Sequence, residues 1–223
     1  MNHASEKPKN YQQKCLCVLL LDRSGSMKKD GKIDRLNESI RQFYENIIMG
    51  RNGIEKSTKD RLYVEAIAFD QSPKRLHEAQ LLYTDMEIPK VVCRDSTTDT
   101  ARALDFAIKE IEDHKLWCAK TGQKYYRPWL LLITDGKPTS SNEELDRVAL
   151  KVNTYVAERK MCINAIGVGN RVSLQSLNKL SAGNGKILND YNFADFFRWL
   201  SESTESIFKS NDEFDRAWGA SGF

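Results

Sequence analysis

Cys15-Leu16-Cys17-Val18-Leu19-Leu20-Leu21-Asp22-Arg23-Ser24-Gly25-Ser26 is the stretch around which the rest of the chain can be ordered. Residues 15–21 are apolar without interruption, far too short to span a bilayer. An unbroken apolar run with no alternation predicts a strand covered on both faces, as in a parallel sheet between helices. The run stops at an acid, and Ser, Gly and Ser follow. Gly25 lets the backbone curl tightly enough to aim both serines the same way.

Working outward, Ile33, Leu36, Ile40, Phe43, Ile47 and Ile48 recur at the helical period, predicting a helix that ends near Gly50. Residues 62–69 read as a second strand and residues 81–83 as a short third. A helix carrying Ala103, Leu104, Ala107, Ile108 and Ile111 on its inner face comes next. Residues 129–133 form another apolar strand that ends abruptly at Thr134-Asp135-Gly136. A helix over 143–156 and a strand over 162–168 follow, the strand stopped by Gly167 and Gly169. A short helix over 172–180, an edge strand over 186–188 and an amphipathic helix over 193–208 complete the pattern. Strands separated by helices on this rhythm predict one α/β domain with a doubly wound, mostly parallel central sheet flanked by helices. We assign it to 14–210, with a flexible N-terminal segment at 1–13 and a tail at 211–223. That tail, with Phe214, Trp218 and Phe223, reads equally as loose or docked.

The chain has 223 residues, 40% of them hydrophobic and 29% charged, which fits a globular protein and argues against disorder. A net charge of +3, with no run of five or more Lys or Arg, gives no strong pull on nucleic acid or membrane. The polar first thirteen residues lack the apolar core of a signal peptide, so a cytoplasmic location is expected. The five cysteines (15, 17, 93, 118 and 162) suit neither a disulfide framework nor a zinc site and are expected to be buried free thiols. His3, His77 and His114 sit in no motif and are expected at the surface. Trp117, Trp129 and Trp199 read as core or groove fillers.

Three polar loops follow or flank the central strands: Asp22-Arg23-Ser24-Gly25-Ser26, Thr97-Thr98-Asp99-Thr100 and Thr134-Asp135-Gly136. In a parallel sheet they open on one rim, where ligands bind beyond the strand ends. Two carboxylates and several hydroxyls converging there make a hard, oxygen-rich pocket suited to Mg²⁺ or Mn²⁺. Asp99 could join that pocket or cap the helix it precedes. The stretch 28–32, Lys-Lys-Asp-Gly-Lys, reads as a solvated loop and a partner contact beside the rim. Enzymatic readings are weaker. An aspartyl phosphatase wants a second carboxylate two residues after Asp22, where Ser24 stands. A receiver-like phosphoacceptor would need an acidic pair ahead of the first helix, and Ser24 lacks the flanking pattern of a hydrolase nucleophile. Gly167-Val168-Gly169 lacks the third glycine of a nucleotide fingerprint.

These three motifs resemble the metal-ion-dependent adhesion site of von Willebrand factor A domains, and the resemblance covers about 14–210. The chain is also similar to the bacterial cytoplasmic branch of tellurite-resistance TerY and YegL type, notably at Tyr126-Arg127-Pro128-Trp129 and over 193–200. The resemblance implies that Ser24, Ser26 and Thr98 offer hydroxyl oxygens to one divalent cation. Mg²⁺ is the first choice, with Mn²⁺ or Ca²⁺ as alternatives, and Asp22 and Asp135 act through water and hydrogen bonds. Neutral ligands would leave the ion charged and open to an Asp or Glu of a partner protein. The implied function is metal-dependent protein binding without catalysis, in a stress-response or phosphorylation-linked system; the alternative is a metal-dependent phosphohydrolase using Asp22. The sequence departs from the family pattern at Arg23, which could oppose the cation or reach an acidic partner, and at Ser96-Thr97, where glycines are usual.

Overall fold

In the computed structural model, residues 12–188, 192–208, 216 and 218–221 are described. β1 (Cys15–Asp22) is buried along its whole length. Its residues alternate between two cores: Cys17, Leu19 and Leu21 face one, Leu16, Val18 and Leu20 the other. That double burial is why the run carries no polar alternation. β2 (Leu62–Phe69), β4 (Trp129–Thr134) and β5 (Cys162–Val168) are likewise buried throughout.

The sheet has six strands in the order β3-β2-β1-β4-β5-β6, with β3 at Pro73–Leu81 and β6 at Gly185–Leu188. All neighbours pair in parallel except β2 with β3. From β1 the chain winds outward first through β2 and β3, then on the other side through β4, β5 and β6. The winding therefore reverses between β1 and β4, and the crevice beyond their carboxyl ends is where such sheets bind ligands. α1 (Lys32–Met49) and α5 (Phe193–Ile207) pack on one face, with Phe43 and Phe197 ring to ring at 5.7 Å. α2 (Thr100–Thr121), α3 (Asn142–Ala157) and α4 (Leu174–Leu180) cover the other.

Helix boundaries follow local chemistry. α1 ends at Gly50 in the left-handed conformation, as expected from sequence. Asp99 caps α2: its carboxylate accepts from the Arg102 amide (3.1 Å) and the Ser140 hydroxyl (2.7 Å), settling its role as a cap. Ser141 and Glu144 form a reciprocal capping box on α3.

Several expectations are corrected. The third strand is not at 81–83 but is β3, Pro73–Leu81, an antiparallel edge strand turned back from β2, and Tyr83 is exposed. Gly167 does not stop β5 but lies within it. A Cβ there would come within 2.7 Å of Leu177 and 2.8 Å of Val172, so its bareness seats α4 against the sheet. His114 is buried against Tyr63 and Trp117, and His77 is half-buried, bonded to the Tyr44 hydroxyl at 2.5 Å. His3 lies outside the described residues, as do Phe214 and Phe223 of the tail and most of the N-terminal segment. Trp218 packs edge-on to Trp199 at 5.3 Å and is buried, so this part of the tail is docked. Cys15, Cys17, Cys118 and Cys162 are buried free thiols as expected, while Cys93 is only half-buried.

Candidate metal centre

Asp22 ends β1, and Asp135 follows the last residue of β4; the two strands pair in register up to Leu21 and Ile133. Both acids are fully buried. Burial pushes the Asp22 carboxyl up from its ordinary pKa, partly opposed by hydrogen bonds from Thr134 and Ser24. One Asp22 oxygen accepts from the Ser24 amide (2.8 Å) and the other from the Thr134 hydroxyl (2.6 Å). This carboxylate is a brace between the first and third loops.

Ser26 donates its hydroxyl to Asp135 Oδ1 at 2.5 Å, and the Ser24 and Ser26 hydroxyl oxygens lie 3.1 Å apart. With the Ser26 proton committed to Asp135, only Ser24 could donate in that contact. The Ser26 oxygen is then an electron-pair donor toward its remaining side, as a cation requires. Thr98 arrives on the loop before α2 and is 5% exposed. That loop is pinned where Thr98 N–H donates to the Thr139 hydroxyl (3.2 Å), Thr139 N–H to the Thr98 carbonyl (2.8 Å), and Asp99 N–H to the Asp70 carbonyl (2.8 Å).

Gly136 joins these hydroxyls into one site. A Cβ on it would stand 3.5 Å from Thr98 Oγ1 and 3.7 Å from Ser26 Oγ, so its missing side chain leaves a cradle between them. The cradle opens into a cleft of about 600 Å³ lined by Ser24, Ser26, Thr98, Lys137, Asn170 and Arg171, among others. Among the described residues no group of three or more His, Cys, Asp or Glu is placed to hold a metal. A cation here therefore depends on hydroxyl oxygens, and the donor set fits a hard ion that keeps some of its water. All five residues singled out from the sequence (Asp22, Ser24, Ser26, Thr98 and Asp135) come to this one rim.

Two neighbours behave differently from expectation. Arg23 is buried, and its Nε pairs with Asp70 at 3.1 Å, so it is engaged within the fold. Burial alone would raise the Asp70 carboxyl; the Ser72 amide and the Arg23 charge outweigh it and hold that pKa below the ordinary range. Lys32 is not part of a solvated loop either. Lys28 is exposed beside Asp95, but Lys32 is 5% exposed, and its ammonium lies 2.5 Å from Asp135 Oδ2 and 3.4 Å from the Ser26 carbonyl. The left-handed pair Asp30 (φ 58°) and Gly31 (φ 66°) turns the chain into α1 and puts Lys32 there. A cation in the first turn of a helix opposes the helix dipole, and that was the one sign of its role in the sequence.

A model of the von Willebrand factor type A domain matches residues 17–205. A search of curated proteins gives no significant match. Among solved structures, a von Willebrand factor type A protein from Catenulispora acidiphila superposes with a TM-score of 0.61 at 14% identity, over 86% of this chain and 43% of that one. The ArnB paralog VWA2 from Sulfolobus acidocaldarius gives 0.57 at 20% identity, over 86% and 45%. Proximal thread matrix protein 1 from the mussel byssus, with a zinc-occupied MIDAS motif, gives 0.54 at 13% identity, over 90% and 46%. The chain thus spans about half the length of these structures, and at such identities the likeness is one of fold. No helix among the described residues is long and apolar enough to cross a membrane.

Proposed function

Because the chain belongs to the von Willebrand factor type A family, we propose that it is a non-catalytic module that grips a partner protein through one divalent cation. The observation that carries this reading is the cradle between Thr98 Oγ1 and Ser26 Oγ at Gly136, open to a cleft at the sheet's switch point. Ser24, Ser26 and Thr98 would hold the ion, with Mg²⁺ preferred over Mn²⁺ or Ca²⁺, and Asp22 and Asp135 would orient their hydroxyls. The ion supplies a positive centre for one carboxylate of the partner's Asp or Glu. Lys137 and Arg171 are exposed on the cleft and add to its attraction for an acidic surface.

A phosphohydrolase using Asp22 is the weaker reading. Asp22 is fully buried and both its oxygens already accept hydrogen bonds, so it is poorly placed to attack a phosphate. The buried free thiols support a reducing, cytoplasmic setting. Placement in a stress-response or phosphorylation-linked system rests on the TerY-like resemblance at 126–129 and 193–200.

Thermal unfolding with Mg²⁺, Mn²⁺, Ca²⁺ or EDTA tests the core of the reading, because an ion held only by the native state raises stability by mass action. Wild type is expected to melt higher with metal, and Ser26→Ala to lose that shift. Equal melting of both proteins in metal and in EDTA would refute a competent site. Metal-dependent phosphatase activity abolished by Asp22→Asn would replace the binding reading with the enzymatic one.

A further inference from the structure

We infer that Lys32 is a built-in counter-charge that makes capture of the cation depend on the partner's carboxylate. The inference rests on the metal-dependent reading above and specifies how that site is regulated. Both oxygens of Asp135 are engaged, one by the Ser26 hydroxyl at 2.5 Å and one by the Lys32 ammonium at 2.5 Å. Both oxygens of Asp22 are engaged as well, by the Ser24 amide and the Thr134 hydroxyl. Every carboxylate oxygen of the two acids thus already has a polar partner within the fold.

The charges then sum in a definite way. Asp22 and Asp135 supply two negative charges, and Lys32 returns one positive, leaving the buried site with a single net negative charge. Arg23 and Lys28 do not alter that sum, because each is matched by its own acid, Asp70 and Asp95. A divalent ion alone leaves one uncompensated positive charge beside acids that are buried away from water, which is unfavourable. One external carboxylate restores neutrality. Cation and acidic ligand therefore strengthen each other's binding, and by linkage they do so equally.

Lys32 is held for this role by more than its ion pair. Its place at the start of α1 follows from the left-handed turn at Asp30 and Gly31, and the Ser26 carbonyl is a second acceptor within 3.4 Å. Because that carbonyl belongs to a proposed hydroxyl donor, the ammonium also ties the first loop to the third.

The test is a titration of the full chain with Mn²⁺, reading free ion by electron paramagnetic resonance, in sodium chloride and in sodium acetate at matched ionic strength. Wild type is expected to bind Mn²⁺ about fivefold or more tightly with acetate as the carboxylate probe. Lys32→Met is expected to bind about tenfold more tightly in chloride and to gain less from acetate, since one like charge near the ion is gone. Lys32→Arg should behave as wild type. Unchanged or weaker binding by folded Lys32→Met, or an equal acetate effect in both proteins, would overturn the inference. Should Lys32→Met fail to fold, Asp135→Asn and the double variant Lys32→Met/Asp135→Asn decide. Their net site charges are zero and one negative, so the double variant is expected to bind about tenfold more tightly than the single. Equal affinities would overturn the inference. Ser26→Ala separates the two levels: if it binds Mn²⁺ as wild type does, the metal site itself fails, whatever Lys32 does.

Discussion

Replacing Gly136 by Ala separates the cradle from the fold. The new methyl carbon would lie 3.5 Å from Thr98 Oγ1 and 3.7 Å from Ser26 Oγ, ordinary van der Waals distances, so nothing needs to move. Gly136 is not in the left-handed region, and its N–H bond to the Thr134 hydroxyl (3.3 Å) is open to alanine as well. Gly→Ala at a compatible position tends to stabilise by about 0.4–1 kcal/mol through the unfolded chain. The metal-free variant should therefore melt within a few degrees of wild type, or slightly above it. Metal binding is expected to fail, because Mg²⁺ needs oxygens at about 2.0–2.1 Å and the methyl stands between two of them. At a hundred times Kd, wild type gains about 2.7 kcal/mol from the ion. For a chain of this size that is a rise of about 5–10 °C in Tm. Calorimetry in MgCl₂ and in EDTA reads both quantities. A Gly136→Ala protein that keeps the full rise would refute the cradle as the ion's seat. One that melts far lower in EDTA would show that the glycine serves the fold instead.

Gly167→Ala has the opposite expectation: its Cβ would sit 2.7 Å from Leu177 Cδ1 and 2.8 Å from Val172 Cγ1. Overpacking of this kind costs about 1–3 kcal/mol, seen as a lower urea midpoint at unchanged m, and a neutral result would mean α4 shifts freely on the sheet. Glu65 carries the pH dependence. Burial, then the neighbouring Glu110 charge, pushes its carboxyl up to about 8 despite Arg75 at 3.1 Å. The native state thus keeps a proton that the unfolded chain releases near the ordinary carboxylate value. Stability from this group is fully present at acid pH and is lost as pH rises toward about 8. Glu65→Gln should flatten the fall in Tm across that window, and parallel pH profiles for the two proteins would exclude Glu65 as its source.

The buried strands could be read from sequence because burial on both faces removes nearly every polar residue. β1 and β4 are apolar up to their last residue, and β2 and β5 are apolar but for Glu65 and Asn164. β3 could not be read that way. It is an edge strand, and Pro73-Lys74-Arg75-Leu76-His77-Glu78-Ala79-Gln80-Leu81 is mostly half-exposed, with Ala79 its one fully buried residue. The signals that would have found it are the Asp70-Gln71-Ser72 turn, closed where Asp70 accepts from the Ser72 amide, and a proline at the strand's first residue. His114 was misplaced for a different reason. The inner face of α2 runs through Ala107, Ile108 and Ile111, and the same period continues to His114 and Cys118, both buried. Residue type alone points His114 to the surface, whereas the helical period points it inward, where it lies.

At the site, the sequence showed which atoms could touch an ion but not how strongly they would attract one. Hydroxyls and acids at strand ends are local features, so Asp22, Ser24, Ser26 and Asp135 follow from where β1 and β4 stop, and Thr98 from where α2 begins. Charge is not local. Lys32 stands 103 positions from the acid it pairs with, in a stretch whose other charges are exposed. Only its place in the first turn of α1, at the wrong end of the helix dipole, set it apart. An account of the three motifs alone counts two negative charges and yields a strong cation site. Adding Lys32 leaves one, and on the proposed reading the same hydroxyls would need a partner's carboxylate to complete the charge balance around a divalent ion.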